Sequence, residues 1–240
     1  MNLTNNKILV TGGASGIGLA LAERFAQRGN TVIICGRRVD ALQEAAQRIP
    51  GVITKVCDLS SEEERIALRD WVAQEHGDLN VLVNNAGIQQ WMNVDDADFY
   101  QRAKQELAIN IEAPIHLSQV FLDLPQLKTI MNVSSGLAFS PLAKTPVYSA
   151  TKAFMRSFTL SLRHLLKERG IEVIEIIPPA LNTDLGGKGL HDLAPPVSAF
   201  LDAIFPQLEA GSDEVAFGFS EDRLNAWPEL YKTSFARLNP

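Results

Sequence analysis

Tyr148 and Lys152 stand four residues apart in Tyr148-Ser-Ala-Thr-Lys152, and Ser134 and Ser135 lie a short loop upstream in Asn132-Val-Ser-Ser-Gly136. On a helix, positions i and i+4 project from one face, one turn apart. A phenol, an ammonium and a hydroxyl gathered in this way suit proton transfer. An unperturbed phenol titrates at about pH 10, too high for acid–base work near neutrality. A neighbouring cation favours the phenolate and lowers that pKa. The same Tyr/Lys spacing is also commonplace on amphipathic helices with no chemistry attached. The elements around the pair must decide.

Strand-like and helix-like patterns alternate along nearly the whole chain. Apolar, β-branched runs at 7–11, 31–35, 52–57, 79–83, 129–133, 172–177 and 214–219 read as strands. The continuous apolar character of 31–35 is that of a strand buried on both faces. Helical patterns occupy 19–28, 39–49, 60–76, 96–122 with a break expected near Pro114, 148–169 and 197–208. Ser60-Ser61-Glu62-Glu63-Glu64 places acidic residues in a first turn, where the helix dipole favours them. The layout predicts an α/β fold with a doubly wound parallel sheet of about seven strands, helices on both faces and one domain over 1–240.

The bulk numbers exclude several function classes. With 240 residues, 46% hydrophobic and 21% charged, the chain has the composition of a globular protein with a sizeable core. A net charge of −6 disfavours nucleic acid and anionic membranes as partners. No apolar run approaches the length of a membrane span, and the start lacks a signal-peptide layout, so a cytoplasmic location is expected. Cys35 and Cys57 sit in strand-like runs and are expected as reduced core residues. His76, His116, His164 and His191 are dispersed without ligand spacing, so no metal site is expected.

The first strand runs into Thr11-Gly12-Gly13-Ala-Ser15-Gly16-Ile17-Gly18 and then into a helix. Glycines let backbone approach a phosphate, and the helix start offers N–H groups with a partial positive charge. The spacing differs from Gly-x-Gly-x-x-Gly and resembles the short-chain dehydrogenase/reductase family. Further motifs carry that resemblance over almost the entire chain. They are Asn84-Asn85-Ala86-Gly87 after the fourth strand, Asn110 in Ala-Ile-Asn-Ile, Ser135 thirteen residues before Tyr148, the Tyr148-x-x-x-Lys152 pair, and Asp58 after the third strand. Within the family the chain is most similar to oxidoreductases named from D-alanine–lipoteichoic acid operons.

The resemblance implies hydride transfer between a nicotinamide and a carbonyl or secondary alcohol. Tyr148 would exchange the proton, Lys152 would hold the nicotinamide ribose and lower the phenol pKa, and Ser135 would hydrogen-bond the substrate oxygen. Asn110 would hold a water linking Lys152 to solvent, and Ser134, on the other side of its strand, would be structural or a cofactor contact. The implied cofactor-binding set is Gly12, Ser15, Gly16, Ile17, Gly18, Arg37, Arg38, Asp58, Leu59, Asn84, Ala86, Gly87, Tyr148, Lys152, Pro178, Leu181 and Thr183. Pro178-Pro179 departs from the family's Pro-Gly, and a proline there removes an N–H donor.

The second strand ends in Cys35-Gly36-Arg37-Arg38, with no carboxylate to bind ribose hydroxyls. An arginine can pair with a 2′-phosphate, so NADP(H) is expected over NAD(H). Residues 184–196, with Gly186, Gly187 and Gly189, suit a substrate lid. Gln89, Gln90, Trp91, Phe139 and Leu142 are candidate pocket residues for a small carbonyl or alcohol substrate, and His191 is a candidate from the lid. The tail 220–240, with Trp227, Leu230, Tyr231 and Phe235, would cover the site or meet another subunit. The family is usually dimeric or tetrameric. Two other readings compete. One is a regulator that senses NADP(H) without turnover, although such proteins commonly lose the Tyr or Lys. The other is a nucleotide-sugar epimerase or dehydratase, although only about fifty residues follow Thr183 to form a substrate domain.

Overall fold

Ile8, Leu9 and Val10 are consecutive and fully buried, which is possible only for a strand covered on both faces. That strand is β1 (Lys7–Thr11) of the computed structural model, which describes residues 2–226. The others are β2 (Thr31–Gly36), β3 (Ile53–Val56), β4 (Val81–Asn84), β5 (Thr129–Val133), β6 (Glu172–Ile177) and β7 (Glu214–Ala216). All pair in parallel in the order β3-β2-β1-β4-β5-β6-β7.

The helices are α1 (Gly16–Gln27), α2 (Val39–Arg48), α3 (Glu62–Glu75), α4 (Phe99–Leu107), α5 (Ala113–Val120), α6 (Pro146–Leu166), α7 (Val197–Glu209) and α8 (Phe219–Asn225). The two-residue period of the strands divides the core in two. Ile8, Val10, Ile34 and Val83 pack with Phe25 of α1, Leu42 of α2 and Phe200, Ile204 and Phe205 of α7. Leu9, Ile33, Leu82 and Ile130 face the other way, onto Leu68 and Val72 of α3, Leu117 of α5 and Leu162 of α6. Cys35 and Cys57 are reduced and lie in this second layer.

The chain leaves β1 toward β2 and β3, then crosses back to place β4 on the other side of β1. A crevice opens at the carboxyl ends of the strands where the winding reverses, and ligands of such sheets bind there. Among the described residues, no helix is long and apolar enough to cross a membrane.

Three segments differ from the sequence reading. The last strand ends at Ala216 rather than 219, because Gly218 takes a positive φ of 55° and turns the chain into α8. The long helix starts at Phe99, and its irregularity precedes Pro114 instead of sitting on it. There Ala108–Glu112 forms a wide π turn in which the Ala113 N–H reaches back to the Ala108 carbonyl. Pro114 has no N–H to return to Asn110, so a tight turn had less to hold it at this point. Thirdly, no helix is read from the tail sequence, yet Phe219–Asn225 forms α8. Its Ser220 is fully buried, and a Cβ on Gly136 would come within 2.6 Å of the Ser220 hydroxyl. The four apolar tail residues from Trp227 onward lie outside the described residues.

Candidate active site

The glycine turn is defined by what it leaves out. Gly12 and Gly16 have φ of 63° and 54°, in the left-handed region that glycine enters without strain. A Cβ on Gly18 would collide with the Gly12 carbonyl and the Asn85 amide, and one on Gly13 would lie 2.5 Å from Ile34 Cγ2. Ser15 precedes α1 without capping it by its side chain, and no acidic residue stands in the first turn. The N–H groups and the positive end of the helix dipole are thus left for an anion. Arg38 Nη2 donates to Ser15 Oγ at 3.1 Å, which brings a guanidinium to the same edge.

A cavity of about 810 Å³ runs from this turn across the crevice. Gly12, Ser15, Gly16, Ile17 and Gly18 line its start, with Arg37, Arg38, Asp58 and Leu59 at the β2–β3 side. Ala86, Gly87, Tyr148, Lys152, Pro178 and Thr183 line the remainder. The Asp58 carboxylate accepts the Ser60 N–H at 3.0 Å and the Ser60 hydroxyl at 2.8 Å, bonds that hold its pKa below the usual range. Residues 184–187 form part of the wall, with the side chain of Gln89 against Gly186.

The face of α6 toward β5 carries Tyr148, Thr151, Lys152, Met155, Arg156 and Thr159, all buried. Pro146 sits in its first turn, where the missing N–H costs nothing. Lys152 Nζ donates to the Val133 carbonyl at 2.8 Å and lies 5.5 Å from the centre of the Tyr148 ring. Burial pushes the Lys152 ammonium down to about 8. Burial also raises the Tyr148 phenol well above its ordinary value, opposed by the Ser135 hydroxyl and reinforced by the Glu106 charge. Desolvation dominates, and the ammonium is directed at a backbone carbonyl.

Asn110 is buried within the π turn. Its Oδ1 accepts the Ile88 N–H at 2.9 Å, and its Nδ2 donates to the Ile88 carbonyl at 2.8 Å and to Thr151 Oγ1 at 3.2 Å. A Cβ on Gly87 would lie 3.4 Å from Asn110 Oδ1 and 3.6 Å from Lys152 Nζ. Asn110, Gly87 and Lys152 are thus neighbours, and the side chain of Asn110 fastens the loop after β4 to α6.

The adjacent serines diverge. Ser135 opens a short turn, accepts the Leu137 N–H at 3.1 Å and reaches Tyr148. Ser134 donates to Glu175 Oε1 at 2.5 Å, and Arg156 Nη1 donates to Glu175 Oε2 at 2.6 Å and to Glu214 Oε1 at 2.7 Å. Glu175 is fully buried on β6, and burial raises its pKa against the pull of Arg156.

Several expected positions stand apart from the cavity. Asn84 is a strut, donating to Asn132 Oδ1 at 2.9 Å and Ser118 Oγ at 3.1 Å, and Asn85 lines the cavity instead. Leu181, whose expected contact is through its backbone, turns its side chain into the core, and Asn182 lines the cavity wall. Of the five candidate pocket residues, Gln89 lines it. Gln90 bonds to α4, Trp91 is half-exposed under Lys144, the Arg156 guanidinium covers Phe139 at 4.5 Å, and Leu142 is exposed. His191 is not among the lining residues. Glu106 and Glu175 were missed by the sequence reading. A lone glutamate inside Val173-Ile-Glu-Ile-Ile177 was the available signal for Glu175.

Comparison with known proteins bears on the family and the fold. A family profile described as short chain dehydrogenase matches residues 6–193. The oxidoreductase DltE of Bacillus subtilis, named as uncharacterized, is 46% identical over 198 residues, covering 78% of this chain and 76% of its own. A short-chain dehydrogenase from Sphingobium yanoikuyae in complex with NADPH superposes with a TM-score of 0.78 at 25% identity, over 88% of this chain and 87% of its own. A 3-ketoacyl-(acyl-carrier-protein) reductase from Brucella melitensis complexed with NADH superposes with a TM-score of 0.72 at 26% identity, over 77% and 79%. By its glycine turn, its sheet order and its matched residues, the chain belongs to the short-chain dehydrogenase family.

Proposed function

We propose that the protein is an NADP(H)-dependent oxidoreductase that interconverts a carbonyl compound and a secondary alcohol, with Tyr148 as general acid and base. The observation that carries this reading is the continuity of one cavity from the glycine turn and Arg37 to Tyr148 and Lys152. A pyrophosphate fits the turn: the sites of Gly12, Gly16 and Gly18 have no room or no φ for a side chain, and the start of α1 is uncapped by any side chain. Arg37 and Arg38 would hold a 2′-phosphate, with Ser15 beside them, and Asp58 and Leu59 would flank the adenine. Lys152 and Thr183 would hold the nicotinamide end. When bound, the nicotinamide supplies or accepts the hydride.

The residues of this chain handle the proton. In reduction the Tyr148 hydroxyl gives its proton to the carbonyl oxygen as charge develops there, and Ser135 donates a hydrogen bond to the same oxygen. The phenol carries its proton across the physiological range, as a general acid must before it can donate it. Lys152, with a pKa of about 8, can exchange a proton near neutrality and lies beside Asn110 and Gly87. The lid would exclude water over the reacting carbon. A dimer or tetramer is the expected assembly.

The test is oxidation of NADPH and of NADH against a panel of aldehydes and ketones, with wild type, Tyr148→Phe and Arg37→Asp. Turnover that depends on Tyr148, with a kcat/KM ratio for NADPH over NADH that falls at least tenfold in Arg37→Asp, is expected. NADPH binding without turnover across the panel, and with unchanged affinity in Tyr148→Phe, would favour a cofactor-sensing regulator.

A further inference from the structure

A carboxyl is buried where α4 approaches the start of α6. Glu106 on α4 has no exposed surface, a place an acid occupies at a cost unless its charge is offset. Its Oε1 accepts the Gln90 N–H at 2.6 Å, while its Oε2 is buried with no hydrogen-bond partner among the described residues. Arg102, one turn earlier, directs its guanidinium elsewhere. Its Nε donates to Gln90 Oε1 at 3.2 Å, its Nη2 to the Trp91 carbonyl, and its Nη1 lies 3.3 Å from Asp96 and 3.5 Å from Asp98. Burial pushes Glu106 up to about 7, with the Gln90 N–H and the Arg102 charge opposing.

The fold puts this acid in the packing of α4 on α6. Glu106 lies one turn before Asn110 and both are buried. Asn110 donates to Thr151 Oγ1, and Thr151 donates to the Tyr148 carbonyl at 2.7 Å, so this face of α4 packs on the start of α6. Arg102 from its own helix and the Gln90 N–H from the loop after β4 face the Glu106 carboxyl, and across the packed helices its charge acts on Tyr148 of α6, which Lys152 also flanks.

We propose that Glu106 is a positioning residue whose charge state sets the pH range over which Tyr148 exchanges its proton. Neutral Glu106 leaves ionisation of the phenol unopposed. Ionised Glu106 repels the phenolate and keeps Tyr148 protonated, so carbonyl reduction continues to higher pH than Tyr148 alone would allow. The catalytic consequence rests on the oxidoreductase reading; the coupling between the two side chains does not.

The deciding measurement needs no substrate. Tyrosine labelled with carbon-13 at the phenolic carbon reports ionisation by NMR in the complex with oxidised NADP, and Tyr148→Phe assigns the signal. Glu106→Gln, which keeps an acceptor for Gln90, is expected to move the Tyr148 midpoint to lower pH by roughly half a unit to one unit. In the wild type, the same signal is expected to show a small inflection near neutral pH as Glu106 ionises. An unchanged midpoint in the variant overturns the proposal. If the variant does not fold, absence of the wild-type inflection overturns it. In turnover, the alkaline limit of reduction should shift with the NMR midpoint. A limit that stays in place while kcat falls in Glu106→Gln and Glu106→Ala alike indicates mere bracing of the loop and also overturns it. If the wild type reduces nothing on the panel, the oxidoreductase reading fails and the NMR midpoint still decides the coupling.

Discussion

Between β1 and β4 the chain builds its part of the crevice from backbone and from missing side chains, whereas between β5 and β7 it builds from buried polar side chains. On the first side, Gly12, Gly13, Gly16 and Gly18 keep space open, and Thr11 Oγ1 accepts the Asn85 and Ala86 N–H groups at 3.0 Å each. On the second side, Asn132 donates to Thr159 at 3.0 Å, Ser134 and Arg156 enclose Glu175, and Lys152 is tied to Val133. A site of backbone tolerates little change in volume. A site of buried ions tolerates little change in charge, because removing one partner leaves the other desolvated.

That contrast can be broken most sharply at the reacting phenol. Tyr148→Phe changes volume by a single hydroxyl, yet is expected to lower kcat/KM for a carbonyl substrate roughly 10²–10⁴-fold while leaving NADPH affinity nearly unchanged, as steady-state kinetics and calorimetry would show. Loss of both in parallel would mean that Tyr148 acts through the fold.

The next effect is on stability in the second region. Arg156→Ala strands the fully buried Glu175 without its cation and should cost about 3–5 kcal/mol in denaturant unfolding. Adding Glu175→Gln should recover part of that loss. An equal loss in the double variant would show that packing of the arginine stem, and not charge, holds the region together.

On the first side the expected cost is steric and smaller. Gly18→Ala forces a Cβ into the Gly12 carbonyl and should cost about 1–3 kcal/mol with weakened cofactor binding. Gly36→Ala, with no protein atom within 4 Å of its Cβ, is the control for folding stability and should change it little.

The smallest effect belongs to pH. Glu106 has a folded pKa of about 7 against an ordinary value of 4.5, so the folded state binds more protons than the unfolded state between those limits. Stability should therefore fall as pH rises from about 4.5 through 7, by roughly 1–2 kcal/mol after structural relaxation. Glu106→Gln should flatten that slope in thermal unfolding followed from pH 5 to pH 8.

The same contrast explains which features were legible in the sequence. The parallel sheet was legible because its strands are runs such as Lys7-Ile-Leu-Val-Thr11, whose character depends on local sequence. The cavity residues of the glycine turn were legible because spacing constrains backbone. Asn84 and Asn85 were not separable in sequence, since a strand's alternation decides which asparagine turns to Asn132 and which to Thr11, and the end of β4 sets that phase. The partners of Glu175 and Glu106 come from elements far apart in the chain. Only the packing of α6 on β6 and of α4 on α6 brings them together. The response of Tyr148 to burial was hidden for the same reason: sequence displays the neighbouring lysine and conceals the desolvation that outweighs it.

The wide turn at Ala108–Glu112 amounts to one surplus residue in an otherwise regular rod. In a regular α-helix that extra residue would turn everything after it by about 100° relative to everything before it. The wide turn absorbs the residue, closing over five where a regular turn closes over four, so Glu106 before it and the buried Leu117 after it both keep their facing. The irregularity thus acts as a gear tooth that keeps the core-facing stripe and the site-facing stripe in phase.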